Sequence, residues 1–79
     1  MNHPIMNTRE VLMRRQIVDA LMRDAESKIN LARMDIFILL NNPVGVGDHP
    51  NITETIQGQL DIMSQNKDRL NILMEYFDE

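Results

Sequence analysis

The chain has 79 residues, with eight Lys or Arg against twelve Asp or Glu, a formal net charge of −4, seven methionines and no cysteine. That length admits one domain, residues 1–79, whose core is too small for a comfortable monomer unless long-helix packing or self-association reinforces it. Missing thiols exclude disulfides and thiolate zinc sites, and the acidic balance argues against a general nucleic-acid binder, whose phosphate contacts require clustered cations.

The opening stretch MNHPIMNTRE has no apolar run of signal-peptide length, and the longest apolar run, IFILL, is far too short to span a bilayer. A cytoplasmic location without membrane attachment is therefore expected. From residue 8 to about 40 there is no Gly or Pro, and apolar residues recur at helical spacing. One long helix is predicted, capped by Asn7, with Glu10 completing a capping box. The seam Arg15, Val18, Met22, Ala25, Ile29, Ala32, Ile36, Leu39 alternates steps of three and four residues. A second apolar stripe, Met13, Ile17, Leu31, Met34 and Ile38, lies roughly opposite and is interrupted by Asp24 and Ser27. A helix apolar on two sides expects neighbours on both.

Residues 41–50, NNPVGVGDHP, read as a bend. Gly45 and Gly47 supply backbone freedom, and Pro43 and Pro50 stiffen the ends. The G-x-G here has no preceding strand and no following Lys, so a phosphate loop is not expected. Asp48 and His49 are two potential metal ligands without a convergent third, and the other histidine, His3, lies in the N-terminal arm. Neither a metal nor another cofactor is expected.

A second helix is predicted from about 51 to 77, capped by Asn51 with Glu54 three residues on. Asn51-Ile52-Thr53 also fits a glycosylation acceptor, but a helix start is the preferred reading. The expected seam is Thr53, Ile56, Leu60, Met63, Lys67, Leu70, Met74, Phe77. Folded back, it pairs Ile36 with Ile56, Ala32 with Leu60, Ile29 with Met63, Met22 with Leu70 and Val18 with Met74. Lys67, opposite Ala25, is the misfit: either its stem lies along the alanine, or it faces solvent at a shifted register. Glu54, Asp61, Asp68 and Glu75 recur every seven residues as a solvated face.

The expected fold is all-α: an antiparallel two-helix, coiled-coil-like hairpin dimerising into a four-helix bundle. Catalysis is not expected, because Ser27 and Ser64 sit mid-helix without a histidine in reach and no Glu-x-x-His pair occurs. The expected function is that of a non-enzymatic, homo-oligomeric interaction or adaptor protein working through Met13, Ile17, Leu31, Met34 and Ile38. Its partners would be a second copy or another protein. The alternative is a regulatory factor associated with nucleic acid or polymerase through the basic patch Arg9, Arg14 and Arg15. That patch also faces the acidic closing stretch EYFDE, so a salt cluster is the simpler reading.

The stretch NNPVGVGDHPNITETIQGQLDIM, followed by LNILMEYF, resembles small proteins of unassigned role in marine T4-like tailed phages, where a similar segment joins two helices. The resemblance spans the bend and second helix, about half of the chain. It implies a phage accessory protein acting in the infected bacterial cytoplasm, with host or phage proteins as partners, and carries over no catalytic residue.

Overall fold

The computed structural model describes residues 8–41 and 49–78. They form two helices, α1 (Thr8–Asn41) and α2 (His49–Tyr76), packed against each other as a hairpin, with no strand among the described residues. The 34 residues of α1 make a rod about 51 Å long at the usual rise per residue. Nothing along it breaks the helix, and at its end the Asn41 side-chain amide donates to the Phe37 carbonyl at 2.7 Å. That bond occupies one of the acceptors a helix terminus leaves open.

The second helix begins at His49, two residues before the expected start, so Asn51 is not its cap. Asn51 is already inside the helix, where its carbonyl accepts a hydrogen bond from the Thr55 hydroxyl at 2.8 Å. Pro50 permits the early start, because a first-turn residue needs no N–H for an intrahelical bond. At the other end the Phe77 amide donates to the Leu73 carbonyl at 2.9 Å, carrying the bonding one residue past Tyr76. His3, the Asn7 cap, Pro43, Gly45, Gly47 and Asp48 lie outside the described residues.

Along α1 the inward face is the predicted one: Val18, Ala25 and Ala32 are buried, and Arg15, Met22, Ile29, Ile36 and Leu39 are half-buried. On α2 three of the eight predicted seam positions hold. Ile56, Met63 and Leu70 are half-buried as expected, but Thr53, Leu60, Lys67 and Met74 are exposed, and Ile52, Gln59, Asn66 and Leu73 take their places one residue earlier. Phe77 is exposed as well. The pairings of Ala32 with Leu60 and Val18 with Met74 therefore give way to Gln59 and Leu73 at those levels.

The physical reason lies at mid-seam. Ala25 and Ala32 are 1% and 2% exposed, which requires the neighbouring helix to lie directly over their methyl groups. Lys67 in that contact would put an ammonium group out of water, at far greater cost than a neutral amide. Rotating α2 by one residue replaces it with Asn66, which is 2% exposed and whose Nδ2 donates to its own Ile62 carbonyl at 2.8 Å. Lys67 thus faces solvent, the second of its two expected placements. The exchange leaves Leu60 and Met74 about half exposed and leaves the Asn66 Oδ1 buried with no hydrogen-bond partner.

An unsatisfied buried acceptor costs about 1–3 kcal/mol, so Asn66→Leu should raise the hairpin's unfolding free energy by about 1–2 kcal/mol in urea titration, provided the leucine packs. Because a single polar seam residue fixes register, the variant should also show doubled or broadened backbone NMR resonances. Gly58, mid-helix with nothing within 4 Å of a Cβ placed on it, should tolerate Gly58→Ala with a gain of about 0.5–1 kcal/mol in the same titration.

Candidate interaction surface

The residues that matter for association are those the hairpin leaves uncovered. On α1 the stripe Met13, Ile17, Leu31, Met34, Ile38 is exposed throughout, each residue between 55% and 61%. Successive residues turn by about 100°, which places this stripe roughly 150° around α1 from the face that packs on α2. One helix cannot cover both faces. The stripe is therefore open in the hairpin, although its side chains are as apolar as those of the seam.

Its middle is polar. Asp24 stands on it, held by Lys28 Nζ at 2.9 Å one turn on, and Ser27 follows on the same face. Beyond them a shallow depression is lined by Arg23, Glu26 and a set of four, Ser27, Asn30, Leu31 and Met34. Those four stand at i, i+3, i+4 and i+7, the spacing of the hole that a side chain from another helix enters. A second depression, lined by Asn30, Arg33, Met34 and Phe37, continues the relief towards the end of α1.

Sequence reasoning missed the apolar surface on α2. Leu60, Ile62, Ile72, Met74 and Tyr76 are all exposed, flanking the seam on both sides. Ile72 and Leu73 meet Leu21, Asp24 and Arg69 in a groove between the helices. The missed signal was the pair of apolar residues at 73 and 74, of which the seam takes one and solvent the other. The acidic positions Glu54, Asp61, Asp68 and Glu75 are all exposed, as the sevenfold spacing predicts.

The basic patch divides. Arg15 Nη2 reaches Asp78 Oδ1 at 2.8 Å and its Nε reaches Asp19 at 3.3 Å, so the start of α1 is clamped to the end of α2. The hydrogen bond with Asp78 first, then the charge of Asp19, raise the Arg15 guanidinium above its ordinary range and keep it cationic. Arg9 and Arg14 are exposed beside it. The Tyr76 and Phe77 rings lie 6.4 Å apart at the same end. Among the described residues no three His, Cys, Asp or Glu are grouped to hold a metal ion, and no helix is long and apolar enough to cross a membrane.

If the clamp is local, Asp78→Asn should speed amide hydrogen exchange over the last turn of α2 and leave the amides around Asn66 as protected as before. Exchange measured by NMR residue by residue checks this; equal acceleration at mid-helix would show that the clamp supports the whole hairpin.

No protein-family model, no curated protein and no solved structure matches this chain, so its own uncovered faces carry the functional reading.

Proposed function

We propose that the chain is a non-enzymatic interaction protein that works as a homodimer, joined through the Met13, Ile17, Leu31, Met34, Ile38 stripe of α1. One observation carries this reading: α1 is apolar on two opposite faces and the hairpin covers one of them. Among the described residues the buried apolar side chains are Val18, Ala25 and Ala32. That core is slight for two helices of 34 and 28 residues, because helices this long draw their stability mainly from packing. Covering the open stripe contributes about 1 kcal/mol for each half-exposed side chain taken out of water.

In such a dimer the two α1 helices lie at the centre and each α2 lies outside. The four helices form an open layer rather than the square section of a closed bundle, because the two apolar faces of α1 are nearly opposed. The adaptor role follows from what remains: the exposed apolar residues of α2, Leu60, Ile62 and Met74 among them, offer the dimer a surface for a further protein. The likeness of the bend and second helix to phage proteins extends the proposal to an accessory protein acting in an infected bacterium. The rival role on nucleic acid gains nothing from Arg15, whose guanidinium is already engaged by Asp19 and Asp78.

Introducing charges into the stripe with Met34→Glu and Ile38→Glu together should reduce the solution mass from two chains to one at micromolar concentration, read by multi-angle light scattering. An unchanged mass would move the contact surface elsewhere. Retention of the native chain on DNA or RNA at low salt, lost as salt rises, would favour the rival role.

A further inference from the structure

The reading of α1 as a self-association surface leaves its orientation open, and the order of residues along the stripe decides it. We infer that two copies of the chain meet antiparallel through α1, on a two-fold axis that crosses the stripe at the level of Ala25 and Glu26. This inference rests on the proposed homodimer and goes beyond it by fixing which residue meets which.

The stripe reads the same from either end. Its steps from Met13 to Ile38 run 4, 3, 4, 3, 4, 3, 4 and are unchanged on reversal. Laid against a reversed copy, Met13 meets Ile38 and Ile17 meets Met34, so the outer layers are apolar throughout. Ala20, a small residue, meets Leu31, a large one that stands in the depression between Ser27 and Met34. The polar interruption falls on itself: Asp24 meets Ser27 of the second copy, whose hydroxyl can donate to a carboxylate already held by Lys28 at 2.9 Å. Every polar group in the stripe is thereby offered a polar partner.

Charges flanking the stripe agree. Antiparallel packing sets Arg14 of one copy beside Asp35 of the other, and the two-fold axis repeats that pair at the far end. Both side chains are exposed in the hairpin and available for it. A parallel dimer in register would instead stack Asp24 on Asp24 at the centre of the interface. It would also bring Arg23 beside Lys28 and Arg9 beside Arg14, like charges at each position. The same sequence thus favours one orientation and penalises the other.

The natural absence of cysteine allows a direct test. Met13→Cys and Ile38→Cys are made as separate full-length chains, each at an exposed position, with circular dichroism confirming that each keeps its helix content. In the antiparallel dimer identical positions stand roughly 40 Å apart along the axis, so neither variant alone should form a disulfide-linked dimer on mild oxidation. A refolded equimolar mixture should form the M13C–I38C disulfide. As a second arm, Asp35→Arg should weaken dimerisation roughly tenfold, and adding Arg14→Asp to the same chain should restore it. A single-chain mass for the natural sequence would overturn this inference and the proposed dimer together. A two-chain mass with disulfides between like positions, or with none in the mixture, would overturn the antiparallel register alone.

Discussion

The contact on which the hairpin depends is the close seating of α2 on the methyl groups of Ala25 and Ala32. Small side chains at those points bring the helix axes together, and closeness in turn decides what may stand opposite. An ammonium group has no place there, whereas an amide that can bond back to its own helix does. The rotation of α2, the burial of Asn66 and the outward turn of Lys67, Leu60 and Met74 all follow from that one narrow contact. The core this leaves is thin, and the apolar surface it leaves is broad.

How much of this was legible depends on which helix is read. On α1 the eight seam positions, the second stripe and both bounds follow from an unbroken pattern, because apolar residues at those positions have polar or charged neighbours at most flanking places. On α2 the pattern is doubled. Leu73 and Met74 are equally apolar, and Ile52 competes with Thr53, so two seams one residue apart share Ile56, Met63 and Leu70. Among the exchanged positions only Leu60 against Gln59 favours the predicted seam, and the difference between burying Lys67 and burying Asn66 outweighs it. Charge at one position overrode hydrophobicity at another. The cap was misplaced for a smaller reason: Asn51 has the chemistry of a cap, but Pro50 before it is equally at home inside the first turn.

Of the candidate surface, the stripe on α1 was legible as a pattern, and the structure adds its exposure, its depression between Ser27 and Met34, and its near-opposition to the seam. The meeting of the basic patch with the acidic stretch EYFDE was legible, but not which of its arginines makes the pair. The folded hairpin adds that Arg15 is tied to Asp78, while Arg9 and Arg14 are exposed. Which apolar residues α2 exposes could not be read before its rotation was known.

The acidic row on α2 has a consequence for growth. Glu54, Asp61, Asp68 and Glu75 stand on the face of α2 turned away from α1. Were that face apolar, each outer helix of the proposed dimer could accept a further hairpin, and layer would add to layer without a natural stopping point. A line of carboxylates at every second turn would make the outer edges of two such proposed layers repel, with a reach of about a Debye length. In the proposed dimer the row would therefore act as a terminator, limiting the stack to a finite particle and keeping neighbouring particles apart at high concentration.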